Sequence, residues 1–338
     1  MRIRTLSVIA VVMAWAIPYL SAARIPIPDG FPNAQSTGIT GAGLTYGDLT
    51  APAGNKITQA GAVIENKDFT GLVTISTDNV TLRNCRVQSA SHACILNNGK
   101  NALIEYCELV GTAETNGAAI KYGNYTARYC NIYGSSDGLK IGSNTTVENC
   151  YIHDQRKHDG SHNDGMQCSG GASRIVIRGN TIQGPYQTST SALMFSTQNG
   201  TIDDVLIEGN FLSGGSYTVY MTDKGTGYGA PTNVRFANNV WEYDSWARKA
   251  DGSFREGAYH TGVGTFTCNI FHTGDPLPEN PECPTIISDP LPDRVIPVNG
   301  LKDMILMDIY GRCIDKPGTG FFLMTGPDRE VKKTLIIK

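Results

Sequence analysis

Seven segments of this chain carry one short phrase: an apolar residue, Cys or Asn three places on, then another apolar residue two places later. The first four copies are Leu82/Cys85/Val87, Ile104/Cys107/Leu109, Ala127/Cys130/Ile132 and Val147/Cys150/Ile152. Ile177/Asn180/Ile182, Ile207/Asn210/Leu212 and Phe236/Asn239/Trp241 continue the series with Asn in the Cys slot. Successive copies start 22, 23, 20, 30, 30 and 29 residues apart. A period of this length built from short alternating stretches specifies a solenoid, in which each repeat buries its apolar side by stacking on its neighbours. The composition fits. Charged residues make up 17% of the chain and glycine occurs 38 times, which suits short strands joined by tight turns that need positive φ. A formal charge of −3 gives no reason to expect a nucleic-acid partner.

The first residues read as a secretory signal. Arg2 and Arg4 precede an apolar stretch from Leu6 to Ile17, and Ser21-Ala22-Ala23 offers small residues for cleavage. The apolar stretch is too short for a stable span and is broken at Pro18. Residues 1–23 are therefore expected to be removed and the mature protein to be extracellular, secreted or held at the cell surface. Export makes nine cysteines look like a disulfide framework, but the repeat assigns four of them elsewhere. Cys85, Cys107, Cys130 and Cys150 occupy one position in successive coils, so they stack as a column about 4.8 Å apart. Asn continues that column as a hydrogen-bonded ladder. Cys168, two residues past a core Met166, points inward as well. Cys268 and Cys283 are placed outside the repeat and become the disulfide candidates.

A second strand in each coil aligns on an inward apolar residue: Ile95, Ile120, Leu139, Met166, Leu193 and Val219. Alternation then turns the following residues outward as a surface column of Leu96, Lys121, Lys140, Gln167, Met194 and Tyr220. From Cys130 to Leu139 is 9 residues, whereas from Cys150 to Met166 is 16. The excess falls in Asp154–Asn163, which with His153 gathers three of the six histidines, Arg156, Lys157 and several aspartates.

The coil pattern, together with the entry segment from Phe31 to Gly38, resembles secreted bacterial right-handed parallel β-helix proteins of the pectate-lyase-like superfamily. The resemblance spans roughly residues 31–270 and implies an all-β rod with carbohydrate along an outer face. It assigns no catalytic residue, because that fold hosts lyases, hydrolases, epimerases and adhesins. Near the end, Met307-Asp308-Ile309-Tyr310-Gly311-Arg312, Gly320-Phe321-Phe322 and the finish Lys332 to Lys338 resemble C-terminal sorting domains of type IX secretion cargo. That similarity implies a small C-terminal β-sandwich over 298–338, recognised by the outer-membrane secretion machinery. A rod with an N-terminal cap over 24–275 and a Pro-rich linker over 276–297 complete the expected organisation.

Three function classes stay open. The first is a polysaccharide lyase that cleaves a uronic-acid-containing glycan by β-elimination. It needs a base for the C5 proton, neutralisation of the uronate carboxylate and an acid for the leaving oxygen. His162 or His158 supplies the base, Lys140 and Arg156 the positive charge, and Gln167 a hydrogen bond. Asp137, Lys121 and Tyr220 are further substrate contacts. The second is a glycoside hydrolase, for which Asp137 and Asp164, each before Gly and two residues before a core position, stack as the required carboxylate pair. Asn163-Asp164-Gly165 resembles the catalytic strand of polygalacturonase-type hydrolases, whose further motifs are missing here. The third is carbohydrate binding without catalysis, through Tyr186, Tyr217, Tyr220, Tyr228 and Trp246. No cofactor is demanded. Calcium would use the oxygens of Asp137, Asp159 and Asp164, and zinc the imidazoles of His153, His158 and His162, although neither set has a recognised spacing. Stacked Asp-Gly could equally be turn chemistry. A monomer is expected.

Overall fold

The computed structural model describes residues 25–112, 117–156, 161–185, 190–242, 258–260 and 263–274, with three further strands between 305 and 337. Each coil contains three short strands, exemplified by Thr81–Arg83, Arg86–Ser89 and Ala93–Asn97. Equivalent strands of successive coils pair in parallel, giving three nine-stranded sheets. They are called first, second and third in the order of these three strands. One core cluster runs the length of the rod and contains Leu82, Ile104, Ala127, Val147, Ile177, Ile207 and Phe236 at the first position of the repeated phrase.

The Cys/Asn slot sits at the tight corner between the first and second sheets. There the preceding residue turns the chain with positive φ: Asn84 (53°), Tyr106 (48°), Tyr129 (53°) and Asn149 (54°). Asn tolerates this conformation because its short polar side chain bonds locally. Tyrosine does not, and the two tyrosine corners stack their rings 4.7 Å apart at 9°. Each ladder side chain makes the same bond. Asn210 Nδ2 donates to Ile177 O and to Asn239 Oδ1, both at 2.9 Å, while Asn210 Oδ1 accepts Asn180 N–H at 2.9 Å. Cysteine Sγ addresses the same carbonyl of the preceding coil, Ile104 O from Cys130 at 3.4 Å and Ala127 O from Cys150 at 3.6 Å. Burial pushes the Cys107 and Cys130 thiols well above their ordinary range, so both stay protonated. The expected stack is present.

It also extends further than the seven copies. Phe266/Asn269/Phe271 is another, with Asn269 Oδ1 accepting from Asn239 Nδ2 at 2.8 Å. Cys268, expected outside the repeat, is its corner residue (φ 51°) and a free thiol. Cys283 lies outside the described residues. Cys168 is fully buried, as expected.

The outer face of the first sheet carries a column whose charge alternates coil by coil. Glu65, Arg83, Glu105, Arg128, Glu148, Arg178 and Glu208 are successive register partners. Arg83 bridges Glu65 at 2.8 Å and Glu105 at 2.7 Å. Burial raises the Glu105 pKa, but the Arg83 and Arg128 guanidiniums outweigh it and hold the carboxyl below its usual range.

Residues 25–49 run along the outside of the second sheet, against the coil order. Phe31 packs on Phe211 of a late coil (ring centroids 5.6 Å). Gly38 N–H donates to Tyr129 O at 2.8 Å, and Arg86 of an early coil lies 4.8 Å from the Tyr46 ring centroid. Gly38 (φ 61°) has no room for a side chain, since a Cβ would come within 2.8 Å of Asn131 Cβ. The segment that opens the rod therefore straps its side. The C-terminal strands Ile305–Asp308, Gly320–Thr325 and Val331–Ile337 form a three-stranded antiparallel sheet. The second layer expected of a sandwich is not shown among the described residues, which also leave out the stretches expected to be a signal segment and a linker.

The ladder yields a ranked prediction. Asn210→Ala leaves Asn180 N–H without its partner and removes the side-chain bonds to Ile177 O and Asn239 Oδ1, and is expected to cost about 3–5 kcal/mol. Cys130→Ala removes one weak bond and a small volume, costing about 1–2 kcal/mol. Urea denaturation of both variants checks the order. In the native protein Cys85, Cys107, Cys130 and Cys150 are expected to resist a thiol reagent that modifies them after unfolding.

Candidate functional site

The third sheet carries two nearly buried carboxyls, Asp137 and Asp164, together with Lys121 and Lys140 on its strands. Its register matches the sequence reading: Lys121 pairs with Leu96, Lys140 with Gln167, Gln167 with Met194 and Met194 with Tyr220. Strict alternation would put Asp137 and Lys140 on opposite faces. Two consecutive inward positions prevent this. Cys94 and Ile95, Ala119 and Ile120, and Ala192 and Leu193 all belong to the core, and Gly138 and Gly165 occupy the small position in the two coils between. A Cβ on Gly138 would lie 2.6 Å from Ile152 Cγ2, and one on Gly165 2.5 Å from Ile182 Cγ2. Both glycines lie inside strands, Asp137–Lys140 and Asn163–Cys168. Asp-Gly is thus not turn chemistry here. Glycine admits a close sheet contact, and the phase reset returns each aspartate to the outer face.

Asp137 and Asp164 lie side by side in neighbouring coils, each 2% exposed. Asp137 Oδ1 accepts Asp164 N–H at 3.0 Å, and Lys140 Nζ lies 3.5 Å from Asp137 Oδ2. Gln167 Nε2 donates to Asp164 Oδ2 at 3.4 Å, and Ser191 contributes both its hydroxyl and its backbone N–H to Asp164. Burial pushes the Asp137 carboxyl up to about 6 against the pull of Lys140. Burial, reinforced by the Asp137 charge, carries Asp164 well above the usual carboxylate range. Desolvation and the neighbouring Lys140 pull Lys121 below the ordinary lysine range. The pair is unequal: Asp164 keeps a proton where Asp137 has lost its own.

The long connection departs and returns beside this pair. Arg156 N–H donates to Ser135 O at 2.9 Å. The fully buried Asn163 closes the neck: its amide donates to Ser136 O at 3.1 Å and to Arg156 O, and its Oδ1 accepts from Ser161 Oγ at 3.0 Å. Arg156 and His162 are exposed, His162 standing two residues before Asp164. His158 and Asp159 lie outside the described residues, as do Tyr186 and Trp246. Tyr228 is exposed at 48%, while Tyr217 and Tyr220 are half-buried on the third sheet.

His153 is elsewhere. It lies on the outer face of the second sheet, stacked 3.9 Å from Tyr151, with Nδ1 2.6 Å from Asp154 Oδ2 and Nε2 2.9 Å from Asn131 Oδ1. Its two ring nitrogens are committed there, so it is no partner for a zinc ion with His162. Among the described residues no group of three or more His, Cys, Asp or Glu is placed to hold a metal. Of the calcium set, Asp137 and Asp164 do come together, but Lys140, Gln167 and Ser191 occupy their oxygens. Ser191 and Asn163 were missed as site residues. Ser191 was legible, because it stands two residues before core Leu193 in the column of the aspartates. Asn163 was read only as part of Asn163-Asp164-Gly165, and its closing of the neck gave no signal because its partners lie in a loop and in a different coil.

No curated protein matches the sequence. Among solved structures, the Azotobacter vinelandii mannuronan C-5 epimerase AlgE6 A-module is similar at 10% identity, covering 64% of this chain and 80% of that chain with a TM-score of 0.22. Those values transfer no residue role. The family model described as right-handed beta helix region matches residues 70–241, which is 241 − 70 + 1 = 172 of 338 positions. The chain belongs to the right-handed β-helix family.

Proposed function

We propose that this protein is an exported enzyme that cleaves a uronate-containing polysaccharide by β-elimination on the outer face of the third sheet. The carrying observation is the pair of adjacent, nearly buried carboxyls with unequal proton affinity beside two lysines. Environments that push the proton affinities of two neighbouring acids apart define an acid and a base. In this reading the uronate carboxylate docks against Lys121, Lys140 and Gln167, which neutralise it and acidify the C5 proton. Asp137, ionised above about 6, accepts that proton, and Asp164 donates its own to the leaving glycosidic oxygen. The C5–H and C4–O bonds break as the C4–C5 double bond forms, with no water consumed. Both groups stand on one face, so the elimination is syn. His162 and Arg156 then line the approach, and the base role expected of His162 passes to Asp137.

A hydrolytic reading draws on the same pair. Stacked carboxyls about one strand spacing apart also suit a glycosidase, with Asp164 as acid and Asp137 as the attacking carboxylate. Incubation with galacturonate and mannuronate polymers separates the two. Elimination generates ultraviolet-absorbing unsaturated uronate, whereas hydrolysis generates reducing ends alone. Absence of both across the panel would leave a binding rod.

Activity is expected to rise as pH passes about 6, where Asp137 ionises, and to fall at higher pH as Asp164 deprotonates. Asp164→Asn is expected to lose at least about a hundredfold in rate, while His162→Ala retains most of it. Stability should move oppositely. A carboxyl whose folded pKa is raised from 3.8 to about 6 stabilises the fold fully below 3.8 and loses that contribution as pH rises through about 6. Asp137→Asn should therefore be more stable than the parent near pH 8, by up to about 3 kcal/mol, with the gain vanishing below 3.8. Thermal melts across pH read this directly. A variant that melts lower at every pH would mean that Asp137 is a structural residue.

A further inference from the structure

We propose that Tyr217, Tyr220 and Lys224 form a sugar-binding subsite two coils beyond the carboxylate pair, in a groove where an anionic glycan lies along the rod axis. The inference rests on the reading of Asp137 and Asp164 as the cleavage point. Tyr217 continues the column of Asp164 and Ser191, and Tyr220 the column of Gln167 and Met194. Two coils place the tyrosines about 10 Å from Asp164 along the axis. A pyranose unit in an extended glycan advances by about the spacing of one coil, so a chain laid along the sheet meets one register position per sugar. A sugar at the carboxylates is then followed by one over Met194 and Ser191, and the next reaches the tyrosines.

Their chemistry suits that occupant. The rings stand 5.9 Å apart at 43°, forming a shallow angled floor rather than a flat stack. Lys224 holds Nζ 3.0 Å from Tyr220 Oη and 4.9 Å from the ring centroid. The apolar face of a pyranose packs on an aromatic ring while its carboxylate, at the ring edge, takes the ammonium. Lys121 lies on the other flank, one coil before Asp137. In a chain of net charge −3, Lys121, Lys140 and Lys224 fall along this one face. The groove is therefore asymmetric, cationic on the early coils and aromatic with a single cation on the late ones.

The test uses the full chain carrying Asp164→Asn, titrated calorimetrically with di-, tetra- and hexasaccharides of galacturonate and of mannuronate. With Tyr220→Ala added, hexasaccharide affinity is expected to fall about tenfold while disaccharide affinity is unchanged. Lys224→Met should weaken the hexasaccharide alone and flatten its salt dependence. Tyr220→Phe, which keeps the ring and should fold as the parent does, should retain stacking and lose only the lysine anchor, giving an intermediate value. Undiminished hexasaccharide affinity in both Tyr220→Ala and Lys224→Met, with the parent binding normally, overturns the subsite and leaves the cleavage reading intact. Failure of every variant and the parent to bind either series overturns the uronate reading and the subsite with it.

Discussion

Parallel pairing of one coil on the next governs this protein. Because equivalent strands stack at a spacing of about 4.8 Å, each side chain has its counterpart from the coil below and the coil above as nearest neighbours. Columns, rather than individual contacts, are then the units of energy. An inward column of Leu, Ile and Val gives burial. A corner column of Cys and Asn saturates backbone groups that could not reach water. An outward column at the start of the third sheet forces two carboxyls together, whatever their mutual repulsion. The same geometry that stabilises the ladder therefore sets up the unequal acids, and a stack of neutral residues would be the more stable choice at that position.

The corner ladder was legible because the spacing within its phrase survives every insertion in the coils. The copy at Phe266/Asn269/Phe271 follows the same spacing and was readable too. It was obscured by Cys268, which the expectation of export invites one to pair covalently although it is simply the corner residue of the last described coil. The outward column of Lys121, Lys140, Gln167 and Tyr220 followed from alternation and holds in the register. The roles of Gly138 and Gly165 did not follow, because the sequence shows the glycine but not Ile152 and Ile182 pressing on it from across the core.

Histidine density was a misleading guide. The cluster His153, His158 and His162 is contiguous in sequence, yet a corner between sheets falls inside it and sends His153 to the second sheet, among Tyr133, Tyr151 and Asn131. The strap of residues 25–49 was equally hidden. Its partners lie 40 to 180 residues away in sequence, from Arg86 on Tyr46 through Tyr129 on Gly38 to Phe211 on Phe31, and no periodicity marks them. Local repetition reports on the stack, whereas contacts laid across the stack leave no local trace.

The alternating column on the first sheet gives the rod a parity. Glu and Arg change places at every coil from Glu65 to Glu208. Deleting or duplicating a single coil within that stretch would set glutamate on glutamate or arginine on arginine at the junction, a directly opposed like-charge pair. Deleting or duplicating two coils would restore the sequence of signs unchanged. Over this stretch the rod can lengthen or shorten without electrostatic cost only in steps of two, so its natural building block is a pair of coils rather than one.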